Sequence, residues 1–277
     1  MQSHFLIERS TSRIDGSDIV VVAQVGGNSK TKDVVTLWTF PAHMLGQKMT
    51  PIEYVNAMKG GAIDSVCPDS CEHKGTKKCY IQHNIRAAAS ATAALAKGTV
   101  EMPFPKVLEI ASLLGIRKVR SMGAGDSCAL QSDAWMRIEL AVFCHRANGN
   151  DMDIIGYTAG WRNTPWLMNT HMASVTTHAE AQHAERLGWR YFLSEAPSAE
   201  SSVPEGAVLC PSSKEYARLQ NKSTPCSTCG LCNGLKSKAK SVYIPRHGNG
   251  DAARKAKLGR LGHILVNSNG KTVGLYA

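Results

Sequence analysis

The 277-residue chain lacks any stretch long and apolar enough to span a bilayer; runs such as Ile19–Ala23 fall far short of the ~20 residues a membrane helix needs. Its start, MQSHFLIERS, has no basic segment followed by an apolar one, so no secretory leader is expected. Aromatic residues are scarce, at 6%. Charged residues, at 19%, are too few for a disordered chain, while 43% hydrophobic residues can supply a sizeable core. An even cysteine count is missing too. Nine cysteines cannot all pair, and in a reducing compartment clustered thiols hold metal more often than they form disulfides. The expectation is a cytoplasmic protein with no membrane partner. A formal net charge of +10 suits an anionic partner and says nothing about fold.

Residues 1–18 are polar and are expected to be irregular. Ile19–Gln24 and Val34–Phe40 read as strands of a hairpin around GGNSKTKD. Thr50–Met58 reads as a helix capped by Thr50, with Pro51 at its first position and Gly60-Gly61 at its end. Helices are expected at Asn84–Lys97, Pro105–Leu114, Ser132–Arg146 (capped by Ser132) and Thr177–Leu187. Strands are expected at Lys118–Met122, Asp153–Thr158, His171–Val175, Arg190–Ser194, Ala207–Leu209 and Ser241–Ile244, with two more around an Asn-Gly turn in the tail. Alternating strands and helices imply parallel pairing. The expected fold is therefore α/β: a complete or partial (β/α) barrel of mainly parallel strands, with an N-terminal hairpin and a C-terminal cysteine-rich metal loop. An open doubly wound sheet is the competing layout. Three regions follow: 1–32, an extension with a hairpin strand; 33–209, the barrel-like part; and 210–277, a cysteine-rich basic segment completing the domain.

Two cysteine groups stand out. Cys67, Cys71 and Cys79 have the spacing C-x3-C-x7-C in a loop carrying Pro68, Gly75 and several lysines. Three thiolates leave one position of a metal centre open, which suits a four-iron, four-sulfur (4Fe-4S) cluster with an exchangeable ligand. Lys74, Lys77 and Lys78 are expected to lower thiol pKa values. A structural zinc that takes His73 or His83 as fourth ligand is the alternative. Cys226, Cys229 and Cys232 form C-x2-C-x2-C, and Cys210 is the natural fourth ligand of a closed site, either iron–sulfur or zinc. Cys128 and Cys144 are left over, and Cys144, in AWMRIELAVFC, is expected in the core.

Other candidates lie at strand ends, where α/β proteins collect their chemistry. Gly123 and Gly125 allow close approach of a ligand, and Asp126 can accept bonds from an amine. Tyr157 and Arg162 flank the next strand end. Ser174, Thr176 and Thr177 follow another, and Glu195 ends the one after. His171, His178 and His183 read as surface or cap residues. From Asn233 to Gly262 eight Lys or Arg residues face one acidic residue, so segment 236–260 could contact nucleic acid phosphate.

The ordered motifs WTFPAHM, CPDSC…KCY, GAGDS, YTAGW, ASVTTHAEAQHAERLGWRYF, LCPSS…CSTCGLCNG and IPRHG resemble a bacteriophage gene-product family. That family is itself similar to divergent radical S-adenosylmethionine enzymes. The resemblance runs over approximately residues 28–248. It implies a partial or full (β/α) barrel in which Cys67, Cys71 and Cys79 hold a 4Fe-4S cluster. S-adenosylmethionine would bind the open iron, with Gly123, Gly125 and Asp126 at its methionyl amine and Asp126 as the candidate catalytic group. Tyr157, Ser174 and Glu195 would line the cofactor pocket, and Cys210, Cys226, Cys229 and Cys232 would hold an auxiliary centre. The last gap of the first motif is seven residues here, whereas the radical family's usual gap is two. The implied activity is modification of a nucleotide or nucleic acid. A non-enzymatic zinc protein that contacts nucleic acid or a host factor is the rival expectation.

Overall fold

A computed structural model describes residues 3–26, 33–74, 76, 79–121, 123–198, 201–222, 224–236, 239–246, 264–266 and 272–275. Its centre is a pair of five-stranded sheets. In the first, β1 (His4–Thr11), β2 (Asp18–Val25) and β3 (Val35–Pro41) are antiparallel neighbours, and β4 (Lys118–Arg120) and β5 (Asp153–Ile155) add in parallel beside β3. The second contains β6 (Tyr157–Thr158), β7 (Met172–Val175), β8 (Tyr191–Glu195), β9 (Ala207–Leu209) and β10 (Ser241–Pro245). Its order is β6-β7-β8-β10-β9, and every pair is parallel.

Gly156 alone separates β5 from β6, so one run of chain passes from the first sheet into the second. A side chain there would not fit, because a Cβ on Gly156 would fall 1.9 Å from Ser121 Oγ. Its N–H donates to Cys232 O at 2.7 Å and its carbonyl accepts from Met172 N at 3.0 Å, so no polar group is lost at the handover.

β1 corrects the expectation of an irregular start. Its first half buries Phe5 and Leu6, a register shift follows between Leu6 and Glu8, and its second half is polar because that half is partly exposed. Glu8 is held there by Arg137 at 2.8 Å and Arg9 by Glu101 at 2.7 Å. β2 is buried from Ile19 to Ala23, which is why it reads as an unbroken apolar run. The expected β2–β3 hairpin is present, although its turn lies outside the described residues. Two further antiparallel strands, β11 (Ile264–Val266) and β12 (Thr272–Leu275), occupy the tail as expected.

The helices are α1 (Pro51–Lys59), α2 (Tyr80–His83), α3 (Ile85–Lys97), α4 (Phe104–Leu113), α5 (Ser132–Ala147), α6 (His178–Arg186), α7 (Lys214–Gln220) and α8 (Cys226–Cys229). Thr50 closes a capping box on α1: its hydroxyl accepts Glu53 N–H at 3.2 Å, and Glu53 Oε2 accepts Thr50 N–H at 2.6 Å. Thr177 caps α6. Ser132 is the first residue of α5 and does not cap it; Gln131 holds that position without a side-chain bond. On α5, Trp135, Ile138 and Val142 face the core, so Phe143 and Cys144 are turned outward, and Cys144 is exposed instead of buried. Among the described residues no helix is long and apolar enough to cross a membrane.

His171 is fully buried, contrary to its surface assignment. Its Nε2 lies 2.7 Å from Ser121 Oγ and 3.0 Å from Ser127 Oγ, its Nδ1 lies 3.0 Å from Thr170 Oγ1, and Trp135 packs edge-on at 4.7 Å. Burial drives its pKa down to about 3, and burial, aided by Lys97, drives that of His4 down to about 4. Both rings therefore stay neutral in the fold when the unfolded chain would protonate them. The unfolded state binds more protons below about pH 6.5, so stability is full above that value and falls as pH drops toward the folded-state values. From pH 7 to pH 5 each histidine should cost roughly 2 kcal/mol. Urea melts across that range should show the loss, and His171→Asn should flatten its slope; an unchanged slope would remove His171 from this account.

Candidate metal centres

After β3 the chain leaves the sheet through α1 and a 3-10 turn, Asp64–Val66, to reach Cys67; it returns through α2 directly after Cys79. Three bonds pin this excursion. Ser12 Oγ donates to Ser65 O at 2.6 Å, Asp126 N–H to Val66 O at 2.8 Å, and Ser70 Oγ to Ala159 O at 2.9 Å. Asp126 follows β4 and Ala159 follows β6, so the first cysteine loop lies against the carboxyl ends of parallel strands. This is the edge where such sheets bind ligands.

The three thiols of this loop interact. Cys67 and Cys71 share a side-chain hydrogen bond, which pushes Cys71 down to about 7 and, with burial, pushes Cys67 up. Cys79 is raised by burial and also by the charge of Cys71. Backbone N–H groups favour the thiolate at both: those of His73 and Lys74 act on Cys71, and those of Gln82 and Ile81 oppose the rise at Cys79. Tyr54 is buried beside Cys79 and Cys67, and its hydroxyl has no hydrogen-bond partner among the described residues. The side-chain amide of Gln82 is likewise buried and unpartnered there. Lys74 does not serve the thiols as expected, because it is held by Asp69 at 2.7 Å and Asp64 at 3.4 Å. Lys77, Lys78 and the side chain of His83 lie outside the described residues.

The second group assembles from farther apart. Cys210 follows β9 and donates its N–H to Tyr243 O at 2.8 Å; α8 carries Cys226 and Cys229; Cys232 accepts from Gly156 through its carbonyl. Cys232 feels the charges of Cys210, Cys226 and Cys229, and Cys210 those of Cys226 and Cys229. Burial raises Cys210 to about 12 and also raises Cys229 and Cys232. Backbone N–H groups again face sulfur, from Ser212 and Ser213 to Cys210 and from Leu231 to Cys229. Arg190, just before β8, clamps the loop: Nη1 donates to Asn233 Oδ1 at 3.1 Å and to Gly234 O, while Nη2 donates to Leu231 O at 2.7 Å and Lys240 O at 2.6 Å. Among the described residues, no three His, Cys, Asp or Glu side chains already stand in a metal-ligating arrangement. The thiols are gathered as a trio and a quartet without being drawn onto one point.

Comparison with protein-family models, with curated proteins and with solved structures finds no match. The arrangement of the remaining candidates is therefore read from their own contacts. Gly123 and Gly125 fit because the turn lies flat on β3. A Cβ on Gly123 would meet the Trp38 ring at 2.5 Å; one on Gly125, where φ is +73°, would meet Thr39 O at 2.6 Å. That packing delivers Asp126 into the interior. Its Oδ1 accepts Cys128 N–H at 2.9 Å and Thr158 Oγ1–H at 2.6 Å, and its Oδ2 accepts Ala159 N–H at 2.7 Å. Burial raises its pKa even so. Tyr157 and Ser174 share one face of the second sheet, where Tyr157 stacks on Phe192 at 4.6 Å and Ser174 pairs in register with Phe192. Glu195 is not brought to them: it faces His178 of α6 at 3.6 Å and accepts from Tyr243 Oη at 3.4 Å. Sequence reasoning missed Tyr54 and Arg120. Neither sits in a motif, and only the fold sets them beside the thiols.

Asp126→Ala should leave two buried backbone N–H groups and the Thr158 hydroxyl without their acceptor, at a cost of roughly 3 kcal/mol. The urea midpoint should fall, and amide exchange should quicken through the Cys67–Cys79 loop. Wild-type stability in the variant would sink the tether role.

Proposed function

We propose that the chain is an iron–sulfur protein of the radical S-adenosylmethionine type, built on a partial (β/α) barrel. The supporting strand arrangement is β3, β4, β5/β6, β7, β8 and β10, which lie side by side in chain order. On this reading the first cysteine loop follows the first barrel strand and the GAGD turn follows the second. The observation that carries the metal reading is the aim of backbone N–H groups at Cys71, Cys79, Cys210 and Cys229, each from two or three residues farther along. Such donors stabilise thiolate over thiol and tune cysteine-ligated clusters. The Tyr54 hydroxyl, buried and without a partner among the described residues, fits too, since a thiolate or sulfide at the trio would accept its hydrogen bond.

Cys67, Cys71 and Cys79 would hold a 4Fe-4S cluster with one iron open to S-adenosylmethionine, supplying one-electron reductive chemistry there. Cys210, Cys226, Cys229 and Cys232 would hold a second centre. Four thiols also suit zinc. Asp126 positions the loop on this reading, since its oxygens already accept three bonds. A nucleotide or nucleic acid as substrate rests on the net charge of +10; most of segment 236–260 lies outside the described residues.

Anaerobically purified protein should be brown and contain iron with acid-labile sulfide. Replacing Cys67, Cys71 and Cys79 by alanine should remove about four irons while the fold survives. Replacing Cys226, Cys229 and Cys232 should chiefly lower stability. Colourless protein holding only zinc would overturn the proposal, and equal unfolding by both sets would make both centres structural.

A further inference from the structure

The parallel strands present two unlike faces. Val119, Ile154, Ala173, Leu193 and Tyr243 are fully buried and join the helices in one apolar core. On the opposite face Arg120, Tyr157, Ser174, Phe192 and Ile244 are half-buried, beside buried Thr36, Ile155, Met172 and Val242. Register explains the division, since Arg120 pairs with Thr36 and Ile155, one residue out of step with Val119. A cation on that half-buried face needs a balancing charge. Arg120 has no carboxylate within ion-pair distance among the described residues. Its neighbours are the Tyr157 hydroxyl, Cys226 and Tyr80, each close enough to act on its charge. Tyr80 follows Cys79 and Cys226 belongs to the quartet, so Arg120 stands between the two cysteine groups. Lys118, two residues earlier on the same face, reaches toward Gly230 of the second loop, where its charge acts on Cys229, and lies 4.0 Å from Asp153.

We infer that Arg120, seconded by Tyr157, binds the anionic group of the substrate, a phosphate or carboxylate, between the two cysteine groups. Its identity as the reacting molecule rests on the iron–sulfur reading; the binding itself does not. A guanidinium offers a planar fork of donors that matches an oxyanion on two edges, and the phenol adds a third donor beside it. A half-buried setting strengthens such bonds over those made at an open surface. Thr36 and Ser174 add hydroxyls along the same face.

The test is phosphorus NMR titration of inorganic phosphate into metal-loaded protein at low salt, with acetate as competitor in a parallel arm. Wild type, R120Q, R120K and R117Q are compared; Arg117 is exposed and paired with Asp151, so R117Q removes the same charge elsewhere. R120Q should weaken phosphate binding at least tenfold, R120K less, and R117Q not at all, with metal content and melting temperature unchanged throughout. Displacement of phosphate by acetate in wild type alone would assign the site to carboxylates as well. Equal binding by R120Q and wild type would overturn the inference, as would equal weakening by R120Q and R117Q. Loss of metal from R120Q with phosphate binding intact would also overturn it, making the guanidinium a counter-charge to Cys226. If the protein proves to hold only zinc yet R120Q still loses phosphate, the anion site stands and the cluster reading alone falls.

Discussion

The carboxylate of Asp126 is the joint on which the first cysteine loop and the parallel sheet depend. Its backbone N–H holds Val66, one residue before Cys67, and its oxygens hold Cys128, Thr158 and Ala159 beyond β4 and β6. An ionised group in a protein interior is tolerated only when such bonds replace water. Here they replace it in a way that fixes three chain segments relative to one another. The turn that presents Asp126 needs Gly123 and Gly125 because it is pressed onto Trp38 and Thr39 of β3. Packing alone therefore requires both glycines. The arrangement has an electrostatic cost, since the buried negative charge also raises the thiol pKa of Cys67. Any cation bound at the trio would relieve both thiolate and carboxylate.

Much of this was legible in the sequence because the determinants are local. Thr50 with Glu53, and Thr177 before an alternating helix, announce their caps through bonds made within one turn. Most strands alternate with helices, and each carries enough Val, Ile or aromatic residues to be seen. Features decided by distant partners were not legible. β1 looks polar because its second half is partly exposed, held by Arg137 on α5. His171 looks like a surface residue until Ser121, Ser127 and Trp135 close over it. Glu195 sits at a strand end as expected, but strand alternation turns its carboxylate toward α6 and away from Tyr157.

The same limit explains why Lys74 was misjudged. Lysines among cysteines suggest thiolate stabilisation, yet two carboxylates, Asp64 and Asp69, lie close enough to take the charge. The stabilising role passes to backbone N–H groups, which composition cannot reveal because every residue but proline has one. Arg120 is the converse case: an unremarkable residue in a short strand that matters only because the sheet carries it to the space between two thiol groups.

The two groups differ in a way that bears on their roles. In the trio the shared Cys67–Cys71 hydrogen bond holds Cys71 below the usual thiol range and, with burial, holds Cys67 above it. In the quartet, burial raises Cys210, Cys229 and Cys232, so on the metal reading a bound metal would displace their protons, as it would those of Cys67 and Cys79. On that reading the quartet, clamped by Arg190 onto the strands, has the character of a closed centre. The trio, held over the strand ends by three hydrogen bonds, has the character of an open one. On the proposed reading, the difference between the two loops thus lies in how each is anchored: one bonded to the ends of parallel strands, the other clamped by a buried guanidinium.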